Sequence, residues 1–338
     1  MRLLFYRNLL LPSDALFIMP LLIFLKSLFG FVFVAQGTLH NSDPWKTKLR
    51  RGVQIKFWGV RGSIPCGNPE TAGVGGNTTC IEIRCGDELI IIDTGTGVRN
   101  LGTALMKEMP IKATILFSHV HWDHIQGFPF FAPFFVPGNE FRIFGGTSLP
   151  STIEEVLNQQ MEPPCFPVKS DLFGCKITYH DVKPGEVIEG DNYKITLAPL
   201  YHPNGCYAYR IEHEGKALVF STDCEHYEDR PNANLIELCR DVDLLVYDSQ
   251  YTEDEYYGRN GQFSRKGWGH STMREGVKVA EAANVKKLVL FHHDPSHNDE
   301  TIKQIETESR QLFPQSIAAY EGLQVDLSQE ALPQSLFD

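Results

Sequence analysis

The chain has 338 residues, of which 42% are hydrophobic and 22% are charged. These values are typical of a globular protein with a sizeable core, and they exclude disordered and fibrous proteins. The 31 basic and 42 acidic residues give a formal net charge of -11. That charge argues against sequence-independent binding to duplex nucleic acid, although it is compatible with a local basic pocket for one phosphate.

The first 52 residues differ in character from the rest of the chain. Residues 16–35 are almost wholly apolar and long enough to span a bilayer, but Pro20 and Lys26 interrupt them. A lysine near the middle of a span costs about 2.5–3.5 kcal/mol on insertion scales. Three interpretations stay open: a membrane anchor, a cleaved export signal or an overlong gene model. Basic residues flank the run on both sides, so its orientation also stays open.

Residues 53–330 are predicted to form one α/β domain. Short β-branched and aromatic runs predict strands at Gln54–Trp58, Thr79–Arg84, Glu88–Ile92, Thr114–Phe117, Phe141–Phe144, Lys176–Tyr179, Tyr193–Ala198, Ala208–Glu212, Ala217–Ser221, Leu244–Tyr247 and Lys287–Phe291. Helical spacing predicts helices at Val98–Glu108, Ser151–Gln160, Asn232–Arg240, Thr272–Ala283 and Asp299–Leu312. Strand-rich stretches with helices between them predict two sheets, each covered by helices on its outer face.

The eight cysteines are scattered, without a Cys-x-x-Cys pair. Their density is far below that of a disulfide scaffold, so we expect mostly buried thiols in a reducing compartment. A cytoplasmic location is therefore expected, with a membrane anchor through residues 16–35 as the open alternative.

The segment Phe117–Gly127 contains the pattern His-x-His-x-Asp-His directly after a predicted strand. His119 and His121 are two residues apart, so on extended backbone both imidazoles face the same side. Asp123 and His124 follow on the next turn and point to a neighbouring position. The pattern predicts a site for two metal ions, and the alternative is a surface histidine cluster without metal.

Three more ligand-type residues follow predicted strands elsewhere in the chain. They are His202, Asp223 and His292. Each alone is typical of an ordinary cap or loop residue. Together with the motif they supply the further ligands that a dinuclear centre needs.

This ordered set resembles the metallo-β-lactamase superfamily over roughly residues 53–323. The resemblance implies an αββα sandwich and two divalent metal ions, with zinc expected and manganese or iron also compatible. It implies that Asp223 bridges the ions, that one ion is held by His119, His121 and His202, and that the other is held by Asp123, His124 and His292. His293 remains an alternative to His292. Asp93, in an Asp-Thr-Gly-Thr-Gly turn, is expected to support ligand geometry.

His270 lies in the segment Gly267–Glu275, at the start of a predicted helix where Thr272 and Glu275 have capping-box spacing. Free N–H groups there attract an anion, so His270 is a candidate to protonate a leaving alkoxide. The alternative is a capping turn with a solvent-facing histidine. Asp248 resembles the acidic residue that pairs with this histidine in tRNA 3′-processing and related phosphodiesterases, and it is the candidate to orient His270.

Three segments resemble the cyclic-phosphodiesterase-like branch of the superfamily, which includes bacterial cyclic nucleotide phosphodiesterases and phage anti-Pycsar enzymes. They are Phe57–Cys66, Gly75–Cys80 and Leu290–Pro295. Arg61 and Asn77 are candidate phosphate or base contacts, although Asn77 equally fits a turn. The loop Met161–Pro167 is a candidate lid with Phe166 available to stack on a base, or a dimer interface, and we expect a homodimer.

The resulting expectation is a metal-dependent phosphodiesterase that hydrolyses a small phosphodiester, above all a cyclic nucleotide, with Asp123 at the metal centre and His270 as general acid. Other enzyme interpretations are a thioesterase, a lactonase and a tRNA 3′-processing endonuclease. A degenerate scaffold without activity is the alternative outside enzymes. The acidic net charge and the absence of a long tRNA-gripping arm in the sequence favour a small substrate.

Overall fold

Two mixed β-sheets form the centre of the fold in this computed structural model, which describes residues 52–146, 150–230 and 232–338. The first sheet contains β1 (Val53–Gly59), β2 (Cys80–Cys85), β3 (Glu88–Ile92), β4 (Lys112–Leu116), β5 (Glu140–Gly145), β6 (Lys176–Asp181) and β14 (Gln324–Asp326). The second contains β7 (Val187–Glu189), β8 (Lys194–Leu200), β9 (Cys206–His213), β10 (Lys216–Ser221), β11 (Leu244–Asp248), β12 (Leu288–Phe291) and β13 (Ser316–Ala318).

Strand order and direction bring several strand ends to one edge of the sandwich. The first sheet has the order β14-β1-β2-β3-β4-β5-β6, and β3 to β6 are parallel. The second has the order β13-β12-β11-β10-β9-β8-β7, and β10 to β13 are parallel. Because β9 is antiparallel to both β8 and β10, the carboxyl end of β8 lies at the same edge as that of β10.

Seven α-helices are present among the described residues. They are α1 (Val98–Leu105), α2 (Trp122–Ile125), α3 (Ile153–Gln159), α4 (Ala233–Leu238), α5 (Glu253–Tyr257), α6 (Met273–Ala282) and α7 (Asp299–Leu312). Short 3₁₀ helices occur at Pro69–Thr71, Phe128–Phe130, Ala132–Phe135 and Ser170–Leu172. Helices α1 and α3 pack near the first sheet, and α4, α6 and α7 near the second. This confirms the predicted αββα sandwich.

Strand side chains alternate between two apolar clusters. In β3, Ile90 and Ile92 belong to the cluster shared by the two sheets, whereas Leu89 and Ile91 belong to the cluster beneath α1 and α3. The rings of Phe57 in β1 and Phe291 in β12 lie 5.9 Å apart. Apolar burial on both faces, worth about 25 cal/mol per Å² removed from water, therefore holds the layers together.

The predicted strands and long helices are present with ends shifted by a few residues, but some short elements escaped prediction. Strands β7, β13 and β14 have three residues each, and α2 and α5 have four and five. Such runs are too short for a periodic pattern to stand out. They form because partners elsewhere in the chain complete their hydrogen bonds, as β1 does for β14.

The ordered chain continues past residue 330, the end of the predicted domain. Leu332 and Phe337 pack against the inter-sheet cluster, and Asp338 forms an ion pair with Arg310 at 2.7 Å. At the other end, the apolar run at residues 16–35 lies outside the described residues. Within the described part of the chain, no helix has the length and hydrophobicity to cross a bilayer.

Candidate metal centre

Seven ligand-type side chains converge where β4, β8, β10 and β12 end. They form two groups, and within each group ligand atoms of the members lie within 4.8 Å of one another. The groups are His119, His121 and His202, and Asp123, His124, Asp223 and His292. All but His121 are buried. The structure thus brings together every residue that the sequence predicted as a ligand.

Asp223 lies between the two groups and presents one carboxylate oxygen to each. Its Oδ1 is 3.6 Å from His119 Nε2 and 3.8 Å from His202 Nε2. Its Oδ2 is 3.2 Å from the Nε2 atoms of His124 and of His292. A carboxylate in this position is suited to bridge two neighbouring cations.

The donor set fits divalent metal ions. His119 Nε2 is buried and has no hydrogen-bond partner among the described residues. Burial lowers the pKa of His119, His121 and His202, so these imidazoles are neutral and have a nitrogen lone pair available. Imidazole nitrogens combined with carboxylate oxygens suit zinc, manganese and iron.

Further hydrogen bonds orient the imidazoles from behind. Asp93 Oδ2 lies 2.8 Å from His124 Nδ1, and Asp93 also accepts from the backbone N–H and the hydroxyl of Ser118. Gln250 Oε1 lies 2.9 Å from His292 Nδ1. Because Nδ1 of each histidine is engaged, Nε2 of each is available as a metal ligand. Hydrogen-bond partners behind ligating histidines commonly have this effect at metal sites. The sequence predicted this role for Asp93 but not for Gln250. The only sign of it in the sequence was that Gln250 lies two residues after Asp248.

Three site residues adopt left-handed backbone conformations that are unfavourable for side chains with a Cβ atom. Asp93, Asp223 and His292 have φ angles of 58°, 50° and 62°. Such conformations cost about 1–3 kcal/mol each and persist where the surroundings hold them. Gly62 lies against this region, because a Cβ added there would be 2.5 Å from His292 Cε1.

His292, and not its neighbour His293, belongs to the centre. His293 Nε2 lies 2.9 Å from the carbonyl oxygen of Ala319, and its ring is fully buried. Burial, together with the nearby Arg61 cation, lowers the pKa of His293 to about 3. His293 is therefore a neutral core histidine directed away from the two ligand groups.

His270 and Asp248 form a buried pair beside the centre. His270 Nδ1 lies 2.8 Å from Asp248 Oδ2, and the rings of His270 and His292 stack with centroids 5.1 Å apart. Burial lowers the pKa of His270, but the adjacent Asp248 carboxylate more than offsets this and raises it to about 9. The solvent-facing alternative for His270 is therefore wrong.

The predicted capping box at the start of α6 is absent. Thr272 is the N-cap residue, but its side chain makes no capping hydrogen bond and donates instead to Glu253. Glu275 pairs with Lys278 at 2.6 Å. The side chains of Thr272 and Glu275 thus pair with Glu253 and Lys278 and not with the helix N-terminus. The spacing of the two residues alone did not reveal these partners.

Arg61 is wrongly predicted as a substrate contact. Its side chain is fully buried, and the guanidinium donates to the carbonyl oxygens of Gly75 at 2.8 Å, Asp294 at 3.1 Å and His297 at 2.7 Å. A buried guanidinium is stable only with such partners. Arg61 therefore braces the loops that surround His292.

Asn77 and Phe166 also have structural partners. Asn77 donates from its backbone N–H and its side-chain amide to the two Glu321 oxygens, at 2.7 and 3.0 Å. Asn77 thus holds a turn in place, which was the alternative to a substrate contact in the sequence analysis. The ring of Phe166 is partly buried and packs at right angles to that of Phe130, with centroids 5.5 Å apart.

Two tryptophans that neighbour site residues in the sequence are exposed, and sequence reasoning did not single them out. Trp122 stands between His121 and Asp123 and is 82% exposed, and Trp268 precedes His270 by two residues and is 60% exposed. A tryptophan inside the His-x-His-x-Asp-His pattern was the available sign.

Comparison with known proteins agrees with the fold. The family model described as a beta-lactamase superfamily domain matches residues 89–293, which is more than half of the chain. The chain therefore belongs to the metallo-β-lactamase superfamily, and it is a metal-dependent hydrolase of that superfamily.

Similar proteins include curated enzymes and solved structures. Ribonuclease Z from Methanothermobacter thermautotrophicus is 25% identical over 322 residues, which cover 81% of this chain and 97% of that protein. The metallo-beta-lactamase fold protein YhfI from Bacillus subtilis shares the fold with a TM-score of 0.61 and 19% identity, over 82% of this chain and 100% of YhfI. A diphosphatase from the PhnP family aligns with a TM-score of 0.59 and 19% identity, over 83% and 100% of the two chains.

Proposed function

We propose that this hydrolase cleaves a small phosphodiester, above all a cyclic nucleotide, with two divalent ions and with His270 as general acid. The observation that carries the proposal is the buried His270–Asp248 pair next to Asp223. A phosphodiester has a poor alkoxide leaving group that benefits from protonation, which a placed imidazole supplies. A thioester releases a thiolate, which is a better leaving group and has less need of this pair.

In the proposed reaction the metal ligands, His270 and Asp248 have separate roles. Zinc is the proposed metal, and a dinuclear zinc centre supplies an activated water and positive charge for the phosphoryl oxygens. The two ligand groups would hold the ions, with Asp223 contributing one carboxylate oxygen to each group. Asp248 keeps the Nδ1–H of His270 engaged, so the Nε2–H proton passes to the departing sugar oxygen as the P–O bond breaks.

Two observations support a nucleotide as substrate. Trp122 and Trp268 are exposed and neighbour site residues in the sequence, and an indole face on which a base stacks is worth about 1–3 kcal/mol per base. The related ribonuclease Z is named for the cleavage of RNA, whose backbone is a phosphodiester. The ribonuclease Z likeness also supports tRNA 3′-end cleavage as a second candidate function.

A turnover screen of the purified, metal-loaded protein tests the proposal. It compares cyclic mononucleotides, cyclic dinucleotides, a precursor tRNA and a thioester panel. We expect the highest kcat/KM with a cyclic nucleotide. Preferred cleavage of the precursor tRNA supports the second candidate, and thioester turnover without phosphodiester turnover refutes both. The same preparation, analysed by light scattering, tests the proposed homodimer.

A further inference from the structure

Glu225 lies two residues after Asp223, and both oxygens of its carboxylate accept hydrogen bonds from the loop that carries His270. It is 5% exposed. Its Oε1 accepts from the backbone N–H of Gly267 at 2.6 Å and from the hydroxyl of Tyr256 at 2.9 Å. Its Oε2 accepts from the backbone N–H of Gly269 at 2.9 Å. We call the segment 267–270 the His270 loop. Each carboxylate oxygen of Glu225 accepts a hydrogen bond from this loop, and Oε1 also accepts one from Tyr256.

The Gly269 residue is held from two sides. Its N–H donates to Glu225, and its carbonyl oxygen lies 2.8 Å from Nδ1 of His202, one of the predicted metal ligands. Its φ angle is +89°, and a Cβ there would lie 2.3 Å from His202 Nδ1. Only glycine therefore allows this close approach between the loop and the centre.

We propose that Glu225 is a positioning residue that clamps the His270 loop onto the metal centre. This inference rests on the proposed function of His270 as general acid. The segment before α6 has no side-chain cap from Thr272, so the loop depends on contacts from other elements. Glu225 supplies two of these contacts from the same turn that carries Asp223. It thereby links the placement of His270 to the position of the bridging carboxylate.

A carboxylate is required at this position because each of its oxygens accepts from a different loop N–H group. Hydrogen bonds to an ionised acceptor are roughly twice as strong as neutral ones. An amide has only one oxygen, so a glutamine would turn its NH₂ group towards one of the two N–H donors. Glu225→Gln keeps the size of the side chain and removes one of the two loop contacts.

The kinetic test compares Glu225→Gln with wild type on two phosphodiesters that differ in leaving group. With a cyclic nucleotide, whose alkoxide needs protonation, we expect kcat to fall about tenfold or more. With an activated nitrophenyl ester we expect a loss of no more than about threefold. Tyr256→Phe is the matched control, because it removes a hydrogen bond to Glu225 and leaves both loop contacts in place; we expect it to affect both substrates alike. Equal losses on both substrates in Glu225→Gln would overturn the positioning role.

Hydrogen exchange tests the clamp without reference to activity. In Glu225→Gln, amides of residues 267–270 should exchange faster than in wild type, while those of β11 stay protected and the metal content stays unchanged. Unchanged exchange in the loop would overturn the proposal. If wild type hydrolyses no phosphodiester, the proposed function fails, and the exchange result still decides whether Glu225 clamps the loop. Glu225→Asp keeps the charge on a shorter side chain and should give an intermediate result if the glutamine variant does not fold.

Discussion

At the scale of single residues, the centre depends on imidazoles whose orientation is set by a second hydrogen bond. Asp93 engages His124, Gln250 engages His292, and the Gly269 carbonyl engages His202. These bonds exist within the folded chain, so the side chains are placed before a ligand arrives. A single ligand substitution should therefore remove a metal donor while most of the site stays in place.

The first prediction follows for Asp123→Ala and His121→Ala. Each variant should stay folded and lose hydrolysis, because an incomplete ligand set does not position the nucleophilic water. Asp123 also accepts from the Ser63 N–H at 2.7 Å, so its variant should lose more thermal stability than that of the half-buried His121. Circular dichroism, metal analysis and turnover check this, and near-wild-type turnover in either variant would refute the site.

The second prediction concerns His270→Ala. The variant should keep both metals and slow hydrolysis of a substrate with a poor alkoxide leaving group by roughly 10²-fold or more, since it lacks the acid. An activated nitrophenyl ester should suffer much less. Asp248→Asn should act in the same direction and more mildly. Loss of metal from the His270 variant, measured by metal analysis, would show that this residue is a ligand.

At the scale of elements, α5 begins with a capping box that is tied to a distant loop. Thr252 and Glu255 cap the helix reciprocally. The Glu255 carboxylate also contacts His297 at 3.0 Å and Arg265 at 3.3 Å. The box thus joins α5 to the segment that follows β12, close to the carbonyl groups that hold Arg61.

The third prediction is a pH dependence of stability at Glu255. Burial raises the pKa of Glu255, but the hydrogen bonds from His297 and Thr252 outweigh it and lower the pKa to about 2. Because the folded pKa is depressed, the ionised group stabilises the fold fully above its unfolded pKa of about 4.3, and this stabilisation is lost as the pH falls towards about 2. Glu255→Gln should lower Tm at pH 7, and the difference from wild type should shrink between pH 4.3 and pH 2. A Tm difference that is constant with pH would contradict this assignment.

At the scale of the whole molecule, the sandwich closes on itself by pairing the two ends of the described chain. Strand β1 lies between β2 and β14, so the first and last strands complete one sheet. Val53 and Ile55 are fully buried in β1, and Val325 and Leu327 are buried at the other end. The inter-sheet core therefore includes residues from both ends of residues 53–338.

The fourth prediction is that a chain without residues 1–52 remains soluble and active. Among the described residues the core begins at Val53, and both neighbours of β1 belong to the sandwich. Thermal unfolding and turnover of the truncated chain, measured beside the full chain, check this. An insoluble or inactive truncation would show that the N-terminal segment packs into the domain.

The local pattern of the chain determined most of the fold and the set of candidate ligands. Strand and helix periodicity reflects which side chains are buried, and that information is contained in windows of about ten residues. The His-x-His-x-Asp-His motif places His119 and His121 on one side through backbone geometry alone. His202, Asp223 and His292 were predicted because ligand-type residues at strand ends become neighbours when the strands share a sheet edge.

Tertiary structure alone decided the roles that depend on distant partners. The sequence predicted that Arg61 contacts a phosphate, but in the fold its guanidinium donates hydrogen bonds to three carbonyl groups of other segments. Gln250 and Glu225 carry no distinctive local pattern, yet folding places them against His292 and the His270 loop. A side chain's hydrogen-bond partners and burial are properties of the packed chain, because segments far apart in sequence supply them.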